Sequence, residues 1–146
     1  MEDQNPTHKI GYLVTHLASI LARMSDQILL EQLGLGFSQF KIMLVLKNHP
    51  HIQQKQIAAA LGQTEASISR QIKMLHSDGL ITARVSKENR REHITTLTPK
   101  GDRFIEQSLK ILTKHYEPLF GVLGKKQGQF IEQLEAIHTV ACQCHS

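Results

Sequence analysis

The hydrophobic period of this chain changes at Gly79, and the change restricts the folds that the chain can adopt. Before Gly79, apolar residues recur every three or four positions, which predicts helices over about 53–61 and 64–77. After it, the segments 80–85 and 92–97 are short and rich in β-branched residues, and a polar turn separates them. The sequence therefore predicts two short helices followed directly by a β-hairpin.

Local signals mark the ends of the two short helices. Gly62 follows the first helix and Gly79 follows the second, at positions where glycine commonly terminates a helix. Thr64 is a suitable N-cap for the second helix, because its hydroxyl can accept from a free backbone N–H. A helix, a tight turn with glycine and a second helix form the helix-turn-helix unit, whose second helix enters the DNA major groove.

Two longer helices are predicted before this unit. The first spans about 8–33 and ends at the glycines that surround Leu35. Ser38 is the expected N-cap of the next helix, and Pro50 closes it, because the residue before a proline is pushed out of the α region.

Two more helices are predicted after the hairpin. Thr98-Pro99 is a strong helix start, and this helix should run to about Tyr116, where Pro118 and Gly121 interrupt the pattern. A last helix is expected over roughly 125–142. The fold class is thus mainly α with a small β-hairpin.

The helices at both ends carry more apolar surface than a single helix can bury. A second copy of the chain is the economical partner for these stripes, so a homodimer is expected. The residues assigned to this dimer interface are Ile10, Leu13, Leu17, Phe130, Leu134 and Ile137.

The net charge of +4 is concentrated in the middle third of the chain. Residues 55–100 hold eight Lys or Arg and four Asp or Glu, whereas the rest of the chain holds nine of each. A module that binds a polyanion inside a neutral scaffold has this distribution. Charge alone leaves open a solvated basic face.

The second helix of the helix-turn-helix is the candidate recognition helix. Arg70 is long enough to reach guanine O6 and N7 in a bidentate pair, Lys73 suits a phosphate, and Lys55 suits the DNA backbone. An ordinary amphipathic surface helix remains the alternative. The candidate DNA-binding residues of this helix are Thr64, Glu65, Ser67, Ser69, Arg70 and Lys73.

The hairpin is the candidate wing. Its cations would repel each other in isolation, but beside a duplex an arginine at the tip can enter the minor groove, where the phosphates focus negative potential. Arg91 is the expected minor-groove residue, although a solvated polar turn explains the same composition. The candidate wing residues are Arg84, Lys87, Asn89, Arg90 and Arg91.

From Phe37 to Gly101 the chain resembles the MarR family of bacterial winged helix-turn-helix regulators. The resemblance lies in several segments along this stretch. They are Ser38-Gln39-Phe40, Ile57-Ala58-Ala59-Ala60-Leu61-Gly62, Ile68-Ser69-Arg70, Leu75-His76-Ser77-Asp78-Gly79-Leu80-Ile81 and Leu97-Thr98-Pro99-Lys100-Gly101. The flanking helix pattern is also similar. One departure is Asn89 before Arg90 and Arg91, where the family's wing usually carries an aspartate.

The resemblance implies a domain organisation and a function. A single MarR-like chain of residues 1–146 would hold a winged DNA-binding lobe at 37–100 and dimerisation helices at 8–33 and 101–142. It would be a homodimer that reads a pseudo-palindromic operator in double-stranded DNA. Such a protein would typically be a repressor that a small molecule, a metal or thiol oxidation releases, and a small-molecule effector is the expected signal for this chain.

Two other classes of function fit parts of the sequence. A winged-helix module for protein interaction is the first alternative, but protein interfaces are depleted in lysine and seldom need four cations on one hairpin. A metal-responsive regulator is the second, with His138, Cys142, Cys144 and His145 as the candidate ligands. Their spacing, CxC at a chain terminus, is atypical of zinc sites, so no metal or cofactor is expected.

Enzymatic and membrane functions are not expected. No P-loop, carboxylate pair or nucleophile elbow is present, and no apolar run reaches the 18 residues of a membrane span. The N-terminus lacks the pattern of a secretory signal, which favours the cytoplasm.

Overall fold

The computed structural model describes residues 5–90 and 93–144, which fall into two compact units. The first unit extends to Ile111 and the second begins at Leu112. The helices are α1 (Pro6–Leu33), α2 (Phe37–Asn48), α3 (Gln54–Leu61), α4 (Glu65–Ser77), α5 (Pro99–Phe120) and α6 (Gln127–Gln143), with a 3-10 helix at Gly121–Lys126. Strands β1 (Ile81–Val85) and β2 (His93–Leu97) lie between α4 and α5.

Helix α1 begins and ends at local capping signals. The Asn5 side chain accepts from the Thr7 N–H at 2.9 Å, and Gly34 adopts a left-handed conformation with φ of 73°. Along this helix, Ser25 and Leu29 are buried, whereas residues 6–19 are exposed. Helix α1 therefore contributes to the core of the first unit only through its C-terminal half.

The core of the first unit forms around α2, which contacts α1, α3, α4 and β2. Burial of these apolar side chains supplies the main driving force for folding of the unit. The buried apolar residues of this unit are Leu29, Phe40, Ile42, Met43, Leu46, Ile57, Ala58, Ile68, Ile72, Leu75, Leu80, Ile81, Phe104 and Ile105.

The strands form an antiparallel hairpin in which Ile81 pairs with Leu97 and Ala83 pairs with Thr95. Ile81 and Thr95 lie on the same face of the hairpin, because side chains of a strand alternate between faces, and both are buried. Among the described residues, the buried Thr95 hydroxyl has no hydrogen-bond partner. The predicted hairpin is confirmed, with β1 beginning one residue later than expected.

The root of the hairpin is closed by Thr98. Its hydroxyl donates to the Gly79 carbonyl at 2.7 Å, its N–H donates to the Leu80 carbonyl at 3.0 Å, and the Gly101 N–H donates to its hydroxyl at 3.1 Å. Thr98 therefore caps α5 and ties its start to the exit of α4. A Cβ on Gly101 would press against the Leu80 carbonyl oxygen, which explains glycine there.

The expected N-cap of α2 was wrong. Helix α2 begins at Phe37, so Ser38 lies inside its first turn and Gly36 occupies the N-cap position. The capping groups come from other residues: the Asp26 carboxylate accepts from the Phe37 N–H at 2.9 Å, and the Gln39 side chain accepts from the Gly36 N–H at 3.1 Å. A carboxylate from α1 therefore occupies the positive end of the α2 dipole.

The predicted end of α5 was also wrong, since the helix continues through Pro118 to Phe120. Proline removes a single donor here, and only two helical residues follow it. In the second unit, Gly124 adopts a φ of 52° and interrupts the 3-10 helix that precedes α6. Helix α6 has no buried residue within the described part of the chain.

No single helix among the described residues is long and apolar enough to cross a membrane. Helices α1 and α2 have the length and apolar composition of a membrane span only when they are taken together, and they are bent by 90° relative to each other.

Candidate nucleic-acid interface

The turn before α4 fixes where the candidate recognition helix begins. Gly62 has a φ of 62°, a left-handed conformation that glycine adopts without steric cost. The Thr64 hydroxyl then accepts from the Ser67 N–H at 3.2 Å, as the sequence predicted. Thr64 is exposed, so its position is fixed by helix capping while its surface remains accessible.

Helix α4 has two distinct faces. Ile68, Ile72 and Leu75 are buried in the first unit, and the opposite face carries the predicted polar residues. Glu65, Arg70 and Lys73 are exposed, whereas Ser67 and Ser69 are partly exposed. The structure therefore brings the predicted cations of α4 onto one accessible surface.

A polar network behind this surface was not predicted from the sequence. It joins Ser38 in α2 to Gln63 in the turn and to Ser67 and Gln71 in α4. The Ser67 hydroxyl, a predicted DNA contact, donates to Gln63 at 3.2 Å. The spacing of Gln63 and Gln71 was the only sequence signal for this network. Their partner Ser38 could not be identified in the same way, because it lies 33 residues before Gln71.

The wing presents its cations to solvent. Arg84 on β1 and Lys87 and Arg90 in the turn are all exposed, and Asn89 is exposed beside them. The buried Ser86 shapes this turn, because its hydroxyl accepts from the N–H groups of Glu88 at 3.2 Å and Asn89 at 3.3 Å. Arg91, the expected minor-groove residue, lies outside the described residues.

Five cations of α4 and the wing have side chains that are exposed and unpaired among the described residues. Within the described part of the chain, none of them forms an ion pair or a side-chain hydrogen bond, and all are exposed. Unpaired arginine and lysine side chains remain available to phosphates and bases. These five residues, called the basic surface below, are Arg70, Lys73, Arg84, Lys87 and Arg90.

Lys55 is the second residue of α3 and is also exposed. Lys100, which the charge count included, donates to the Asp78 carbonyl at 2.7 Å and helps to close the root of the wing.

The predicted dimer residues are accessible in the single chain. Ile10, Leu13, Leu17, Leu134 and Ile137 are 41–55% exposed, and Phe130 is partly exposed. In the second unit, Phe130 and Leu134 also line an open apolar groove of about 420 Å³. The sequence reading did not identify this groove, whose remaining lining residues are Thr113, Tyr116, Glu117, Phe120, Leu123, Gln127 and Ile131.

The candidate metal ligands are only partly brought together. The Cys142 sulfur lies 3.6 Å from His138 Nε2, one helical turn away, and Cys144 is exposed. Over residues 5–90 and 93–144, no group of three or more His, Cys, Asp or Glu side chains is arranged to hold a metal ion. His145 lies outside the described residues.

Comparisons with known proteins agree on one group of regulators. A family model described as the MarR family matches residues 33–92. The organic hydroperoxide resistance transcriptional regulator of Bacillus subtilis (strain 168) is 26% identical over 118 residues, which cover 80% of this chain and 77% of that protein. The HTH-type transcriptional regulator BilQ of Clostridium symbiosum (strain WAL-14163) is 33% identical over 78 residues, which cover 53% of each.

Solved structures share the fold over nearly the whole chain. BldR from Sulfolobus solfataricus has a TM-score of 0.83 at 16% identity and covers 98% of this chain and 99% of its own. CouR from Rhodococcus jostii RHA1, bound to p-coumaroyl-CoA, has a TM-score of 0.78 at 16% identity, covering 95% and 96%. A MepR variant from S. aureus, bound to an oligodeoxyribonucleotide, has a TM-score of 0.61 at 24% identity, covering 94% and 98%. The predicted fold class is confirmed.

Proposed function

We propose that this chain is a transcription regulator of the MarR family, whose model matches residues 33–92, and that it acts through its winged helix as a homodimeric repressor in the cytoplasm. It reads a pseudo-palindromic operator in double-stranded DNA and releases it when a small-molecule effector binds. The observation that carries this proposal is the basic surface, whose five cations are exposed and unpaired within the described residues. Regulators of this family act by binding DNA rather than by catalysis.

Helix α4 supplies the base contacts in this proposal. Its buried face holds Ile68, Ile72 and Leu75 against the unit, so the opposite face can enter the major groove. Arg70 pairs with guanine O6 and N7, where base pairs are fully distinguishable, and Lys73 contacts a phosphate. The partly exposed Ser69 and the exposed Glu65 border this contact.

The wing supplies contacts that are less dependent on sequence. Arg84, Lys87 and Arg90 are exposed on and beside the hairpin, where they can approach phosphates or the minor groove. The minor groove distinguishes A·T from G·C but little else, so these residues add affinity more than specificity. Lys55 at the start of α3 contacts the DNA backbone, and Arg91 remains the expected minor-groove residue.

The homodimer rests on apolar side chains that the single chain leaves in water. Contiguous exposed apolar patches commonly mark interaction sites in proteins. Helix α1 exposes Ile10, Leu13 and Leu17, and helix α6 exposes Leu134 and Ile137. The groove of the second unit includes Leu134, so a second copy of this chain is its proposed occupant.

Two observations support a small-molecule effector: the similarity to the MarR family and a ligand bound in a protein of the same fold. A protein of this fold, CouR, is bound to p-coumaroyl-CoA in its solved structure, so the fold accommodates a small-molecule ligand. An effector releases the operator by binding more tightly to a conformation that does not bind DNA.

The proposed function is tested by selecting bound sequences from a random duplex pool. A two-fold symmetric protein should enrich half-sites on one face of the duplex, about 10 bp apart or a multiple of that. The variant Arg70→Ala with Lys73→Ala should lose the enrichment, whereas Lys110→Ala, an exposed lysine of α5, should keep it. Failure of the wild-type protein to enrich any duplex would support a protein-interaction module instead.

A further inference from the structure

Four partly buried side chains form a closed network at the back of α4. Ser38 Oγ donates to Gln71 Oε1 at 2.6 Å, and Gln71 Nε2 donates to Gln63 Oε1 at 2.9 Å. Gln63 Nε2 returns to Ser38 Oγ at 3.3 Å, which closes the ring. Ser67 joins it by donating to Gln63 Oε1 and by accepting from Gln71 Nε2, both at 3.2 Å.

The position of Gln71 makes it the centre of this network. Its amide contacts Ser38, Gln63 and Ser67, so it links α2, the turn and the first half of α4. Both ends of the amide are used, one as an acceptor and one as a donor. Neither a carboxylate nor an apolar side chain of similar size can satisfy all of these partners.

The network contacts α2 at Ser38, in a first turn whose backbone N–H groups are capped by other side chains. The Phe37 N–H donates to Asp26, and the Gly36 N–H donates to Gln39, so the first turn of α2 is capped from two sides. Ser38 lies in that turn. The network therefore connects the first half of α4 to a fixed point in the first unit.

Hydrogen bonds add directional contacts to the apolar burial that holds α4 in the first unit. The hydrophobic burial of Ile68 and Ile72 is itself non-directional. Hydrogen bonds require particular distances and angles. Since the N-terminal residues of a recognition helix contact the base edges, small changes at this end change which bases are met.

We propose that Gln71 is a positioning residue for DNA recognition, which acts by fixing the first half of α4 on α2 through Ser38, Gln63 and Ser67. This inference rests on the proposed function, because it concerns how the basic surface meets the operator. Gln71 itself contacts neither a base nor a phosphate; its effect reaches the DNA through the orientation of Arg70 and its neighbours.

The test compares Gln71→Leu with wild type on the selected operator and on a scrambled duplex, at several salt concentrations. Operator affinity should fall about tenfold, because each subunit of the dimer loses a hydrogen-bonded network. Affinity for the scrambled duplex should change little, so the ratio of the two affinities falls. The slope of log affinity against log salt should be unchanged, because no phosphate contact is lost.

The control is Gln107→Leu, the same change at an exposed glutamine of α5. Ser38→Ala is a milder second variant, which removes only a hydroxyl from the network. The losses in binding free energy of Ser38→Ala and Gln71→Leu, summed, should exceed the loss of the double variant, because both substitutions break the same network. Thermal unfolding shows whether each variant folds. If Gln71→Leu does not fold, the affinity ratio of Ser38→Ala tests the proposal instead.

Each other result overturns the proposal in a different way. A flatter salt slope with equal losses on both duplexes would make Gln71 a phosphate contact. A lower unfolding temperature with an unchanged affinity ratio would give the network a purely structural role. If wild type binds the operator and Gln71→Leu binds as Gln107→Leu does, only the positioning role fails; if wild type binds no duplex, the proposed function fails with it.

Discussion

Replacing Gly101 by alanine tests how tightly the root of the wing is packed. The added methyl group would press against the Leu80 carbonyl oxygen, a backbone atom that cannot rotate away, and would lie 3.1 Å from Leu97 Cδ2. That carbonyl also accepts from the Thr98 N–H at 3.0 Å, so moving it weakens the junction between α4 and α5. Gly101→Ala should therefore destabilise the first unit.

The size of the effect follows from two opposing contributions. Overpacking a tight site costs about 1–3 kcal/mol, and contact with a fixed backbone oxygen places this site near the upper end. Alanine within a helix returns about 0.5–1 kcal/mol relative to glycine. The net loss in the free energy of unfolding is about 2 kcal/mol, which lowers the unfolding temperature by about 4–8 °C for a chain of this size.

Thermal unfolding followed by circular dichroism measures this loss, and Gly128→Ala is the matched control. Gly128 lies in α6, and a Cβ there meets no atom within 4 Å, so this variant should be unchanged or about 0.5 kcal/mol more stable. An unfolding temperature of Gly101→Ala at or above that of wild type would refute the reasoning, as would an equal loss in Gly128→Ala.

Four other substitutions follow from the structure. Thr95→Val should raise the free energy of unfolding by about 1 kcal/mol in a urea titration, because it removes a buried hydroxyl without a partner among the described residues; a loss of stability would show that the hydroxyl is satisfied. Asp26→Ala should cost about 1 kcal/mol in the same titration, since it removes the carboxylate that caps α2, and Glu106→Ala on the exposed face of α5 should cost almost nothing. Arg70→Ala should cost about 1–3 kcal/mol of operator binding and relax selection at one position per half-site; equal losses on a scrambled duplex would make Arg70 a phosphate contact. Leu134→Lys should convert a species of twice the 16.5 kDa chain mass into monomer in light scattering and weaken operator binding, and a wild-type monomer at micromolar concentration would contradict the dimer.

The positions of most helices and of the hairpin were predictable from the sequence because their signals are local. Gly34 and Gly62 end helices where the periodicity ends, and the Thr64 hydroxyl caps α4 within three residues of itself. The change from a period near four to a period of two locates the hairpin after Gly79. The outward direction of Arg70 and Lys73 follows in the same way, since Ile68, Ile72 and Leu75 occupy the opposite side of the helix.

The two errors in helix boundaries come from rules that ignore context. Ser38 has the chemistry of an N-cap, but Asp26 from α1 already accepts from the α2 terminus, so the serine is free to bind Gln71. Pro118 is unfavourable in the middle of a helix, yet near its end the loss of one donor is tolerated.

Only the tertiary structure decided the contacts between residues that are far apart in the sequence. The Asp26 cap spans 11 residues, and the Ser38–Gln71 bond spans 33. Gly101 meets the Leu80 carbonyl because the hairpin folds back on itself. Periodicity fixes which face of a helix is apolar, because that depends on neighbours within one or two turns. Which polar groups meet across elements depends on how those faces pack, and that is determined only when the whole unit has folded.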